Sequence, residues 1–318
     1  MYPLLLKPHL KDYLWGGTRL KNEYGFENDS EILAEGWMLS CHKEGTNIVL
    51  NGKFKGKSLT EVIEIFGDKC LGKNTKKFTY FPLLIKLIDA NKKLSIQVHP
   101  DNAYALKNEG EYGKTEMWYV VDCSDDAELI YSFKKGISKN EFKTRIENNT
   151  LSEVTNNVKV HKGDVFFIKA GMLHAIGGGI LIAEVQQNSN VTYRVSDYGR
   201  RDLNGNLRPL HIEKALDVTV RKKPQIPYGQ IGEIRYMGNN VLRSLAKCEF
   251  FSASLLSLKE KYTLKNKDSF VSVVLLSGEV NLFWKNECLS LKKGDSVFIP
   301  ADFETVLEGN AEIILSSI

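Results

Sequence analysis

Lys162-Gly163-Asp164-Val165-Phe166-Phe167-Ile168-Lys169-Ala170 returns later in the chain as Lys293-Gly294-Asp295-Ser296-Val297-Phe298-Ile299-Pro300-Ala301. Each copy reads as a Gly-Asp turn, an alternating strand and a second turn. Two copies of one strand-turn unit imply two related β-barrels. Outward from these copies, most of the chain reads as short strands separated by Gly, Asn or Lys-Asn turns. Strands are expected at 47–50, 83–87, 117–121, 165–168, 180–185 and 192–195. More are expected at 250–258, 269–276, 280–284, 296–299 and 312–315. The expected fold is therefore mainly β, two barrels with a few short helices.

Four segments read as helices. Ser58-Leu59-Thr60-Glu61 opens one over 58–66 with a capping-box pattern, and Ser138-x-x-Glu141 opens another over 138–148. A third covers 103–109, and a fourth, 209–218, begins at Pro209, a residue suited to a first helical turn. The basic, Pro- and Gly-containing stretch 221–231 has no periodicity and reads as the linker. It divides the chain into a first domain, 1–225, and a second, 232–318. The copies diverge where chemistry begins: eleven residues past Gly163 stands His174, and eleven past Gly294 stands Thr305. Metal binding is expected in the first barrel only.

The bulk composition narrows the function. In 318 residues, charged side chains make up 26% and the net charge is +4, too small a surplus to indicate a nucleic-acid partner. No apolar run approaches the ~20 residues that span a bilayer, and the apolar start at Leu4–Leu6 is too short for a signal segment. Five scattered cysteines without a CxxC pair suit reduced thiols, so a cytoplasmic protein is expected. Nothing specifies assembly beyond a monomer or weak homo-oligomer.

Leu94-Ser95-Ile96-Gln97-Val98-His99-Pro100-Asp101 carries the strongest chemical signal. Gln97 and His99 are two apart in an alternating run, so both face one way. Glu116 sits beside apolar Met117 and Trp118, where a buried carboxylate needs a cation or donor. Its bland alternative is a salt bridge to Lys114. With His174 these residues make two imidazoles, a carboxylate and an amide oxygen, a ligand set for one divalent metal. That set suits catalytic zinc, and the same residue types accept iron or manganese. His9, His42, His161 and His211 read as structural.

Arg194, Arg200 and Arg201 fall within eight residues, and guanidinium forks match phosphate oxygens. Arg194 lies in the alternating part of that run; Arg201 reads as solvated loop. Lys86 is a lone charge in an apolar strand, where desolvation lowers a lysine pKa and suits acid–base work. The run Gly177-Gly178-Gly179 lacks the Lys-Ser/Thr of a phosphate loop and reads as a turn at the pocket mouth.

Seven segments in order resemble the type I phosphomannose isomerases in their short bacterial form. They are Tyr13–Gly17, Ala34–Ser40, Leu94–Asp101, Gly113–Trp118, Ala170–His174, Glu184–Ser189 and Thr192–Arg200. The resemblance implies a pair of cupin-like, jelly-roll barrels, the second degenerate, and one Zn2+ per chain on Gln97, His99, Glu116 and His174. It further implies a catalytic Arg194, and phosphate or substrate contacts at Ser95, Lys114 and Arg200. The implied reaction interconverts mannose 6-phosphate and fructose 6-phosphate through a cis-enediolate. For the proton, Lys86, Lys114, Glu116 and a metal-bound hydroxide are all open as carriers, with Lys86 and Lys114 ranked above Glu116 because a metal-ligated carboxylate is a poor base. The competing readings are a non-catalytic sugar-binding cupin and an Fe(II) cupin oxygenase. Two positions depart from the family pattern: Met38 stands where an acid is common and Lys169 where a proline is common.

Overall fold

The two copies of the Gly-Asp unit fold identically in the computed structural model, which describes residues 1–201 and 205–318. Gly163 and Gly294 take φ of 89° and 91°, a region open to glycine. Asp164 accepts from the His161 amide, and Asp295 from the Lys292 amide, each at 2.8 Å. The flanking strands are clamped alike: Gly163 donates to Val120 O and Gly294 to Leu275 O. Beyond each turn, Val165–Ile168 pairs with Glu116–Cys123, and Ser296–Ile299 pairs with Val271–Trp284. Ile168 lies opposite Glu116 and its counterpart Ile299 opposite Val271. The second copy has thus lost the carboxylate as well as the histidine.

The first domain is two facing antiparallel sheets rather than a closed barrel. The larger runs Val165–Ile168, Glu116–Cys123, Ile180–Gln187, Leu83–Ala90, Glu35–Leu39, His9–Lys11. The smaller runs Thr155–Lys159, Glu128–Phe133, His174–Ala175, Ile96–Val98, Tyr193–Ser196. Trp118, Phe166 and Ile182 from one sheet pack against Leu129, Tyr131 and Val158 from the other. The outer face of the smaller sheet is covered by Phe142, Ile146, Ala215 and Leu216 of two helices. The outer face of the larger sheet, Ile85, Leu87, Met117 and Val185, meets Phe251, Val274 and Phe298 of the second domain in a single core. Because both its faces are buried, Leu83–Ala90 reads in sequence as a near-continuous apolar run.

The second domain belongs to a ten-stranded sheet that also takes in the N-terminus: Leu4–Lys7 pairs with Ser296–Ile299. A cut at 225–232 therefore separates strands that share hydrogen bonds. The stretch 221–231 is docked as well, with Gly229 bridging to Val165 and the Tyr228 ring 5.3 Å from Phe166. The expected strands 269–276 and 280–284 form one strand, Val271–Trp284, carried through a register shift at Leu275/Ser277. Ser58 caps Leu59–Phe66 with both halves of a capping box. The fourth helix begins at Ile212, not Pro209: His211, with φ −117° and ψ 53°, lies outside the helical region and its amide donates to Arg194 O at 2.8 Å. No helix among the described residues is long and apolar enough to cross a membrane.

Candidate active site

Register in the smaller sheet puts Gln97 opposite both His174 and Arg194, so the three side chains share a row across three strands. His99 follows on the same face as Gln97. Glu116 opens its strand on the facing sheet. Across the gap the groups converge. His99 Nε2 lies 3.1 Å from His174 Nε2 and 3.6 Å from Glu116 Oε2. His174 Nε2 is 3.5 Å from Glu116 Oε1 and 3.3 Å from the Gln97 amide nitrogen.

The protonation pattern at this point is informative. His99 Nδ1 donates to Val191 O at 2.9 Å and His174 Nδ1 to Met172 O at 2.8 Å. Each neutral imidazole therefore turns the lone pair of Nε2 inward. Burial, aided by Lys114, holds His99 well below the usual histidine pKa. Burial also takes His174 down to about 4. Two lone pairs thus face each other with no proton between them. Beside them both Glu116 oxygens are buried without a hydrogen-bond partner. Lys114 Nζ, 2.9 Å from Oε2, supplies only an ion pair. Burial pushes the Glu116 carboxyl up, and Lys114 pulls against that. Lys114 offsets the carboxylate charge, but the two facing Nε2 lone pairs repel each other until a cation enters between them. His99, Glu116 and His174 fit one divalent ion, and exchanging the Gln97 amide oxygen and nitrogen puts an oxygen beside His174 Nε2.

A cavity of about 230 Å³ opens beside the cluster, lined by Ser95, Gln97, Lys114, Lys86 and Arg194 among others. Arg194 is held by its Nη1 bond to Pro209 O and by the His211 ring, whose Nδ1 accepts from the Arg194 amide at 3.2 Å. Its Nε is buried without a partner. Arg200 is not part of the lining. Its guanidinium is bound to Asp197, with Nε at 3.1 Å from Oδ1, and to Lys93 O. Arg208, unmarked in the sequence reading, lines the cavity instead, with Nε 2.7 Å from the other oxygen of Asp197. The Gly177–Gly179 turn also lies outside the lining; it packs on the Glu128 and Asn91 backbones, while Ile176 lines the cavity.

Lys86 differs from expectation in its titration. Register aligns Trp118, Glu184, Lys86 and Trp37 across four neighbouring strands. Lys86 Nζ lies 3.3 Å from Glu35 and 3.5 Å from Glu184. Trp37 Nε1 donates to Glu35 at 2.6 Å and Trp118 Nε1 to Glu184 at 2.8 Å. Burial alone favours a neutral amine. The carboxylates of Glu35, Glu184 and Glu116 outweigh it and hold the Lys86 pKa above the ordinary lysine value. Glu184, despite its burial, is held below the usual carboxylate range by Lys114 and Lys86.

His42 is buried with Glu44 and Glu111 nearby, a grouping that the wide sequence separation conceals. Its Nδ1 accepts from the Glu44 amide at 3.2 Å, so Nε2 carries the proton towards Glu111 at 3.4 Å. Lys43 already neutralises Glu111 at 2.6 Å, and His42 is a satisfied structural histidine.

The model of the type I phosphomannose isomerase catalytic domain matches residues 4–144, and that of the mannose-6-phosphate isomerase cupin domain matches residues 242–318. Mannose-6-phosphate isomerase ManA of Bacillus subtilis is 38% identical over 99% of this chain and 98% of its own length. The Streptococcus mutans mannose-6-phosphate isomerase is 37% identical over 99% of this chain and 98% of its own. The chain belongs to the type I mannose-6-phosphate isomerases. The crystal structure of the Bacillus subtilis enzyme superimposes with a TM-score of 0.93 at 34% identity, covering 100% of both chains. A zinc-bound mannose 6-phosphate isomerase shares the fold, with a TM-score of 0.80 at 19% identity over 99% of both chains. Family membership makes the chain an aldose–ketose isomerase of mainly β, cupin-like architecture and removes the non-catalytic reading.

Proposed function

We propose that the chain interconverts mannose 6-phosphate and fructose 6-phosphate through a cis-enediol, with one Zn2+ held by Gln97, His99, Glu116 and His174. The observation that carries this reading is the buried cluster of inward lone pairs and unpartnered carboxylate oxygens. Zinc held by these residues would supply Lewis-acid charge to the developing enediolate.

The chain's own side chains divide the remaining work. Arg194 and Arg208 grip the phosphate with Ser95 and Thr192, which fixes the sugar carbons relative to the cluster. Arg200 serves that grip indirectly, by sharing Asp197 with Arg208. Lys114 adds positive charge where the enediolate oxygens develop. Glu184, ionised and with Oε1 free of hydrogen bonds, takes the proton from C2. The C–H electron pair becomes the C1–C2 double bond, the C1 carbonyl pair moves onto O1, and the O2 proton passes to O1. Return of the Glu184 proton to C1 leaves the carbonyl at C2. Lys86 stays an ammonium throughout; its role is to hold Glu184 ionised rather than to act as the free base.

A coupled isomerase assay on mannose 6-phosphate tests the reading. Treatment with a chelator abolishes turnover and added Zn2+ restores it. Turnover that survives complete metal removal refutes the metal assignment, and oxygen consumption in its place would favour an Fe(II) oxygenase. Glu184→Gln retains zinc and loses turnover; a variant near the wild-type kcat removes Glu184 from proton transfer.

A further inference from the structure

The segment Lys169–His174 has two working sides. One faces the metal cluster: Gly171 N donates to His99 O, and Met172 O receives the His174 ring proton. The other side forms the wall of a separate cavity of about 260 Å³, which shares no lining residue with the substrate pocket. The floor of this cavity is apolar, built from Met172, Val220 and Ile226. Its rim carries Lys169, Lys222 and Lys223, and no carboxylate lines it.

Two features mark the cavity. Among the described residues, none of the three exposed ammonium groups has an ion-pair partner, and all three line one concavity that no carboxylate enters. Three uncompensated cations around one concavity create a field that favours a multiply charged anion. Ser132, which also lines the cavity, takes a φ of 66°, a backbone region that a serine adopts only under constraint. Its hydroxyl then donates to Lys222 O at 2.9 Å, and its amide to Leu173 O. The strained residue therefore ties the lysine-bearing segment of the rim to the Lys169–His174 segment.

Rim and floor together specify a ligand. A phosphate group presents several oxygens and close to two negative charges to three ammonium donors. The apolar floor takes an uncharged body of one ring or a short chain. We propose that this cavity is a binding site for a small organic phosphate, with its phosphate on Lys169, Lys222 and Lys223 and its apolar body on Met172, Val220 and Ile226.

Phenyl phosphate is the probe, measured by calorimetry on the zinc-loaded full-length chain. The substrate pocket also takes phosphates, so the titration is repeated in an Arg194→Ala/Arg208→Ala background. Wild type binds two equivalents and that background binds one. Adding Lys222→Ala/Lys223→Ala to the background weakens the remaining site at least about tenfold. Val220→Glu, at a position that is half exposed, puts a carboxylate beside the phosphate and does the same. Phenol and inorganic phosphate each bind at least about tenfold more weakly than phenyl phosphate. Undiminished affinity in both variants, with melting temperatures unchanged, overturns the site. Phenol binding as tightly as phenyl phosphate reduces it to an apolar patch, and equal binding of inorganic phosphate removes the organic body; either result overturns the proposal.

Discussion

Asp197→Asn separates the grip on the phosphate from the chemistry. Asp197 is 5% exposed and receives Nε of Arg208 at 2.7 Å and Nε of Arg200 at 3.1 Å, with further contacts from both guanidinium tips. The amide keeps the shape but loses the charge and one acceptor. Charge-assisted bonds contribute about 1.5–3 kcal/mol each and are not additive, so a loss of about 3 kcal/mol is the expectation. At about 2 °C per kcal/mol for a chain of this length, melting falls by about 6 °C. The catalytic effect comes from entropy. A released arginine regains about 2 kcal/mol of rotamer freedom, which substrate binding must then overcome; that is about 30-fold in KM. The phosphate is held alike in ground and transition states, so kcat stays within a few-fold. Steady-state kinetics on mannose 6-phosphate and a melting curve measure both quantities. A KM within twofold of wild type, with the melting loss present, refutes the claim that Asp197 pre-orders Arg208. A fall in kcat at constant KM would instead put Arg208 in the transition state.

The same residue gives a pH signature of definite sign. Asp197 is held below the usual carboxylate range: burial raises it, and the bonds from Arg208 and Arg200 prevail. A depressed carboxylate stabilises the fold above its unfolded pKa, near 3.9, and loses that contribution as pH falls through the lower folded value. The stability gap between wild type and Asp197→Asn is therefore constant above about pH 5 and closes below about pH 4. A gap that persists undiminished into strong acid contradicts this account.

Lys86→Met leaves Glu35 and Glu184 buried without their shared cation and lowers stability by about 3–5 kcal/mol in urea denaturation. Adding Glu184→Gln recovers part of that loss, and a midpoint unchanged in the single variant would mean that the pairs contribute nothing. Zinc at 100 to 1,000 times its Kd adds about 3–4 kcal/mol to the chelated chain, read as a higher melting temperature, and His174→Ala abolishes the increase. Gly177→Ala puts a Cβ 1.8 Å from Glu128 O, so it costs several kcal/mol or prevents folding; a variant with wild-type melting disproves that close approach.

What the sequence reveals here depends on whether a signal is local. The Gly-Asp turn is a complete device within four residues, so its two copies identify both sheets before any pairing is known. Gln97 and His99 are visible because alternation within one strand aims them together. The partners of Lys86 are hidden because Glu35, Lys86 and Glu184 become neighbours only through the pairing of three strands. Lys86 reads as a desolvated base because the one acid of its own strand, Asp89, lies three residues on and faces the other way; two other strands supply the counter-charge and reverse the direction of its pKa. Arg208 is hidden for a related reason. It comes from a loop with no periodicity, and it is held at the pocket by Asp197, eleven residues earlier. The pairing of Leu4–Lys7 with Ser296–Ile299 spans nearly the whole chain and leaves no mark on either segment alone. The candidate ligands are thus legible from local pattern, while the charges that tune them belong to the register between strands, which only the assembled sheet defines.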